Sequence, residues 1–363
     1  MASPQDLLQA KQTLSATLLR RGLRGNVVGM VAALRIDRAV AAAGQNVHAV
    51  GIGRKIVEGR VTDERCVRVY VVQKITESLL PPRDRLPPSV SGIPTDVIES
   101  PPAFVLPAAS RSRARKVEPE PTIATATTSC TLDRRKRQRP VLAGISAAHR
   151  DVTAGTISYF CRSTRHGDDP SHVFVLSNNH VFANVNQAHI GDDLYQPGPA
   201  DGGMTGDHFA DFARFVPIQL GGTLPNRVDA AICRLRQDVP HQVEVCSMGP
   251  IIGTARATEG VRVRKHGRTT GYTEGVVTDE SYDALIGMDH SDPSVVALFE
   301  SQMRIERIDP YPTIGLGGDS GSLVVMQAEA SAVGLYFAGP PSGTYGVANH
   351  LQDVFNEMEI QLL

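Results

Sequence analysis

Tryptophan is absent and aromatic residues make up only 5% of the chain, against 33 glycines and 24 prolines. That balance leans towards many turns and short strands. Neither sign of charge dominates: a formal net charge of −1 supplies no global field to draw nucleic acid or an anionic membrane, and neither is expected as a partner. No run of 18 apolar residues occurs, so no transmembrane helix is expected. The opening segment, MASPQDLLQAKQTLSATLLRRG, is broken by Asp6, Lys11 and several Gln and Ser, and does not read as a signal peptide. Cysteine is sparse too. Cys66, Cys130, Cys161, Cys233 and Cys246 are odd in number, widely spread and without C-x-x-C spacing, which argues against both a zinc site and a secreted disulfide framework. Reduced thiols and a cytoplasmic setting are the expectation, with no metal or cofactor.

Hydrophobic residues at 41% and charged residues at 21% of 363 suit one large soluble domain plus a smaller one. Residues 5–20 place Leu7, Leu8, Leu14, Leu18 and Leu19 at near-helical spacing, with Gly22 as a stop, and an Ala-rich stretch from 27 to 43 reads as a second helix. Alternating runs at 48–57 and 66–73, joined by EGRVTDER, read as a β-pair, and 95–99 adds a strand. Residues 1–105 thus form a small α/β module. It offers a pro-region, a substrate dock or an assembly surface for a homo-oligomer. Residues 106–140 hold four prolines and the clusters RSRARK and RRKRQR, with nine Lys/Arg against three Asp/Glu from 111 to 139. Such a segment buries too little apolar surface to order itself and reads as an exposed, flexible linker. From 141 to 363 short strands alternate with Gly/Pro turns, the texture of an all-β domain, and 349–362 reads as a closing helix capped by Asn349.

Three segments in that domain carry chemistry. VFVLSNNHVFA places His180 after an apolar strand, NRVDAAICRL sets Asp229 at the head of small and apolar residues, and GLGGDSGSLVV holds Ser320 in a Gly-rich turn leading into a buried strand. Acyl transfer by a serine needs an adjacent imidazole to take the hydroxyl proton and a carboxylate to orient that imidazole. The glycines let the Gly318 and Ser320 N–H groups converge on one developing oxyanion. Alone, His180 is one of eleven histidines, Asp229 a salt-bridge or capping residue and GDSG an ordinary turn. Their conjunction in the order His, Asp, Ser is what points to catalysis. An α/β-hydrolase would run Ser, acid, His with Gly two residues after the nucleophile, where this chain has Ser322.

LSNNHV, VDAAI and GDSGSLVV resemble the His, Asp and Ser blocks of trypsin-like, chymotrypsin-family (S1-type) serine proteases, and KHGRTTGYTEGVV resembles a second-barrel hairpin of bacterial members. With GIGRKIVEGRVTDE and GDDLYQPGPADGG the chain is similar to bacterial relatives of the plant NARROW LEAF 1-like proteases. The resemblance implies a mainly β fold of two six-stranded antiparallel barrels. His180 would be general base then acid, Asp229 its orienting partner, Ser320 the nucleophile, and Gly318 with Ser320 the oxyanion hole. The strand 335–339, with Phe337 at its centre, would pair with substrate backbone, and Ile314 would floor a specificity pocket walled by Gly339 and Gly346. An uncharged floor implies uncharged side chains, such as Leu, Met, Phe or a small aliphatic, before the scissile bond. No cysteine follows His180 closely enough to brace its loop. No free N-terminus is at hand for Asp319, so another cation, such as an Arg, is expected to hold it. The activity implied is a serine endopeptidase acting on proteins or peptides. An idle scaffold or binding module on the same fold and a serine esterase are the alternatives.

Overall fold

The computed structural model describes residues 3–19, 46–80, 82, 85–108, 130–289, 292 and 294–363. The helix expected at 27–43 and the stop at Gly22 lie outside them. The chain divides into two compact units, each discontinuous: Met1–Phe104 with Gln219–Arg227 and Thr278–Arg304, and Val105–Ile218 with Val228–Val277 and Ile305–Leu363.

In the first unit, helix Pro4–Leu18 starts at a reciprocal cap: the Ser3 hydroxyl accepts the Asp6 N–H, and the Asp6 carboxylate accepts the Ser3 N–H. Its inner face buries Leu7, Ala10 and Leu14 together with two polar residues, Lys11 and Ser15. Both reach the buried Asp283 carboxylate, at 2.5 and 2.6 Å. Strands Val47–Val57 and Arg60–Val71 form a hairpin whose two-residue turn, Glu58–Gly59, has positive φ at both positions (49° and 77°). The polar segment expected as a connection is therefore mostly strand. Ile93–Glu99 pairs parallel to Arg60–Val71, with Val67 opposite Thr95. Gly51 leaves room for Asp279, whose carboxylate accepts the Ile52 and Ser281 N–H groups and the Tyr70 hydroxyl. Burial pushes the Asp279 carboxyl up to about 6 despite these donors.

The remaining strands are those of an all-β domain. Arg262–Gly267, Gly271–Gly287, Val296–Arg307, Leu323–Met326, Ser331–Ala338 and Tyr345–His350 are the strands of a closed barrel, sealed by pairing of the second with the third. The other sheet runs Tyr159–Ser163, Phe174–Ser177, Ala231–Leu235, His208–Phe215, Asp193–Tyr195, Ser146–His149 and Gly155–Thr156, each paired with the next or joined to it through its neighbour. It curls as a half-barrel, where six closed strands were expected. Apolar residues from both sheets share one core, including Phe160, Phe182, Phe209, Leu323 and Leu335.

The closing helix is shorter than the sequence suggests. It spans Leu351–Met358 with His350, not Asn349, at its start, and Glu359 in the left-handed region (φ 50°) turns the chain into strand Ile360–Leu362 beside Tyr159–Ser163. Residues 109–129 of the expected linker lie outside the described residues. The end of that segment, 130–140, is tied down rather than loose. The Arg134 guanidinium donates to the Arg268 and Thr269 carbonyls, and Arg139 and the Gln138 N–H both meet Gln196 Oε1.

The expectation of wholly reduced thiols is overturned. Cys130 and Cys246 form a disulfide across 116 residues, leaving Cys66, Cys161 and Cys233 as buried thiols. Sequence spacing cannot reveal so distant a pair, and the thiol argument for a cytoplasmic setting falls with it. A bridge closing so long a loop restricts the unfolded chain strongly. Replacing both cysteines by serine should cost about 2–5 kcal/mol, read as a lower denaturant midpoint. An unchanged midpoint in non-reducing buffer would show that the bridge does not form. No helix among the described residues is long and apolar enough to cross a membrane.

Candidate active site

Strand Phe174–Ser177 is buried throughout and ends where three polar residues fix the next turn. Ser177 donates to the Thr156 carbonyl at 2.8 Å, and Asn178 to the Asp229 carbonyl at 2.8 Å. Asn179 donates to Asn186 Oδ1 and the Val216 carbonyl, both at 2.8 Å. His180 then stands on the single helical turn Asn179–Phe182. The sequence treats Ser-Asn-Asn as small polar filler; in the structure each side chain is a strut.

His180 Nδ1 lies 2.5 Å from Asp229 Oδ2, and the His180 backbone N–H donates to Asp229 Oδ1 at 3.2 Å. The carboxylate is fully buried and the imidazole side chain 10% exposed, so this pair is shielded from competing water. The backbone N–H of Asp229 donates to Asn349 Oδ1 at 3.0 Å, which is what Asn349 does in place of capping a helix. The other ring nitrogen, Nε2, is buried without a hydrogen-bond partner among the described residues.

Ser320 Oγ donates to the Phe337 carbonyl at 3.1 Å. The Ser320 turn meets the His180 turn across glycines. An added Cβ on Gly155 would lie 2.4 Å from Val181 Cγ1 and 3.1 Å from the Ser320 carbonyl oxygen. One on Gly321 (φ 95°) would lie 2.2 Å from Ser177 Oγ. Gly318, also at φ 95°, has Thr269 Oγ1 only 2.7 Å from where a Cβ would stand, so no other residue fits. Among the described residues neither the Gly318 nor the Ser320 N–H has a protein acceptor. Both remain available to an anion.

Asp319 anchors this turn from beneath. Its fully buried carboxylate accepts the N–H groups of Leu316 (2.8 Å), Thr269 (2.8 Å) and Thr270 (3.1 Å) and the Thr270 hydroxyl (2.8 Å), with Lys265 Nζ at 3.5 Å. Burial works to raise the carboxyl, but the Lys265 ammonium and the N–H donors outweigh it and hold it below the usual carboxylate range. The cation is thus a lysine rather than the expected arginine, and it comes from KHGRTT. The arginine of that motif, Arg268, makes a buried two-point pair with Asp201 (2.6 and 2.8 Å), and Thr269 donates to the Gly317 carbonyl at 2.7 Å. Ser322 donates to the Asp319 carbonyl at 2.6 Å and tightens the turn.

Of the residues expected around a specificity pocket, Ile314 is buried, its carbonyl accepting from Thr273 (2.8 Å) and its Cδ1 turned to within 3.0 Å of a Cβ position on Gly275. Gly339 and Gly346 both face Tyr336, a residue the sequence reading did not single out.

A closed six-stranded antiparallel barrel, a half-barrel and a C-terminal helix make a mainly β fold. Solved structures similar to this chain include bacterial proteases. Thermobifida fusca protease A is 15% identical with a TM-score of 0.42, over 61% of this chain and 98% of that one. A Nocardiopsis protease gives 14%, 0.42, 61% and 98%, and Cellulomonas bogoriensis chymotrypsin 15%, 0.40, 61% and 98%. No family model and no curated protein matches the chain.

Proposed function

We propose that the protein is a serine endopeptidase in which Ser320 attacks a peptide carbonyl, His180 relays the proton and Asp229 holds the imidazole. The observation that carries this reading is the His180–Asp229 pair: a buried carboxylate 2.5 Å from Nδ1 and an Nε2 left without a partner among the described residues. An imidazole held through Nδ1 by Asp229 would keep Nε2 as the basic nitrogen on the side away from the carboxylate, as proton abstraction from a hydroxyl requires. The hydrogen bond from Ser320 to the Phe337 carbonyl describes a resting rotamer; rotation about one bond frees the hydroxyl for Nε2. As the tetrahedral adduct forms, its oxyanion would accept the Gly318 and Ser320 N–H groups. His180 would then protonate the leaving amine, and water would release the acyl group by the same steps in reverse.

A peptide rather than a small ester is favoured as substrate by the protease resemblance of LSNNHV, VDAAI and GDSGSLVV. The resemblance to relatives of NARROW LEAF 1-like proteases belongs to the same reading. A fluorophosphonate probe should label the wild-type protein on Ser320, located by peptide mass spectrometry, and leave Ser320→Ala unlabelled. A folded wild type that resists the probe would instead indicate an idle scaffold, and cleavage of esters without any cleavage of peptides would indicate an esterase.

A further inference from the structure

Three glycines converge on one ring. A Cβ on Gly346 would lie 2.2 Å from Tyr336 Cε2, one on Gly315 2.6 Å from both Cζ and Oη, and one on Gly339 2.9 Å from Oη. Side chains never approach so closely, so the ring occupies the slot that three missing side chains leave. The backbone of Tyr336 is bonded to the nucleophile turn: its carbonyl accepts the Gly321 N–H (2.9 Å) and its N–H donates to the Ser322 carbonyl (3.0 Å). The next residue, Phe337, accepts the Ser320 hydroxyl. The ring, only 3% exposed, thus fills the glycine slot on the residue that precedes the acceptor of the nucleophile's hydroxyl.

We propose that Tyr336 is the specificity-determining residue: it sets the depth of the substrate pocket, so that the residue contributing the attacked carbonyl must be Gly, Ala or Ser. This rests on the endopeptidase reading and narrows it, since Leu, Met and Phe would compete with the ring for one volume. Bulk rather than the hydroxyl is what excludes them, because a packed interior tolerates added methylenes poorly.

The test uses peptidyl diphenyl phosphonates that differ only in a Gly, Ala, Leu or Phe side chain next to phosphorus, alongside a plain alkyl fluorophosphonate. Labelling rates are read by intact mass on wild type, Tyr336→Phe and Tyr336→Val. Wild type and Tyr336→Phe should react with the Gly and Ala probes about tenfold or more faster than with the Phe probe. Tyr336→Val should gain about tenfold or more towards Leu and Phe relative to Ala. Wild type alone decides the matter if Tyr336→Val does not fold: equal or faster reaction with the Leu or Phe probe overturns the proposal. So does an unchanged order in a reactive Tyr336→Val. If the plain probe labels wild type while the side-chain order is flat, Tyr336 is wrong and the endopeptidase reading stands. If no probe labels folded wild type, both fall.

Discussion

Ser320→Ala is expected to lower kcat/KM on a peptide substrate by about 10⁴-fold or more, and His180→Ala by a similar factor. Both residues act in one proton transfer, so the double variant should be little worse than either single one. The fold should persist: Ser320 Oγ makes one hydrogen bond, to the Phe337 carbonyl, and its loss costs about 1 kcal/mol. Asp229→Asn is a subtler change with a comparable result. The amide can present an N–H to Nδ1, which would move the imidazole proton to Nε2 and leave no base facing the serine, again about 10⁴-fold. Because the Asp229 backbone N–H is held by Asn349, the variant should keep its geometry, and its unfolding midpoint should move far less than its activity. Ser320→Ala with most of its peptidase activity intact would sink the assignment.

The blocks that set His180 beside Asp229 and Ser320 in its turn were legible because their signals are local. His180, Asp229 and Ser320 each sit in a short block whose neighbours announce a strand end, a buried acid and a Gly-rich turn. The hairpin of the first unit was legible for the same reason, as alternating runs on either side of a turn. What stayed hidden depends on partners distant in sequence. Nothing near Lys265 marks it as the counter-charge of Asp319, 54 residues on, and the Cys130–Cys246 bridge spans 116. Strand Gly271–Gly287 carries Asp279 and Asp283, and the burial of these two carboxylates depends on Tyr70, Lys11 and Ser15, brought there by other elements. That strand passes from one compact unit to the other between Val277 and Thr278, which no compositional boundary signals. Asn349 has the ideal chemistry for a helix cap, and tertiary structure used its side chain for Asp229 instead. Tyr336 reads as one more apolar strand residue until the glycines at 315, 339 and 346 are seen to share its space.

Lys265→Met is expected to damage stability and turnover together, for separable reasons. Lys265 and Asp319 are 1% and 0% exposed, and removing one partner of a buried ion pair leaves the other charge uncompensated, at a cost of about 3–5 kcal/mol. Asp319 keeps its N–H donors from Leu316, Thr269 and Thr270, so the turn should loosen without unfolding. A looser turn misplaces the Gly318 and Ser320 N–H groups at the oxyanion, and losing one such donor typically lowers kcat about 10²–10³-fold. KM should change little, because ground-state contacts lie elsewhere, and affinity for a peptide boronate should fall in step with kcat. Acidification gives an independent readout. The Asp319 carboxyl is held below its ordinary value, so its contribution is fully present above the unfolded pKa of about 3.9 and is lost as pH falls through the lower folded value. Without the lysine, burial counts for more and that folded value rises, so acid unfolding should begin at higher pH in the variant than in wild type. Lys265→Met combined with Asp319→Asn should recover much of the stability, since no buried charge remains, yet recover kcat only to the extent that the asparagine still accepts the Thr269 and Thr270 donors. An unchanged kcat and an unchanged acid midpoint in Lys265→Met would show that the hydrogen bonds alone set the turn and that the lysine is dispensable.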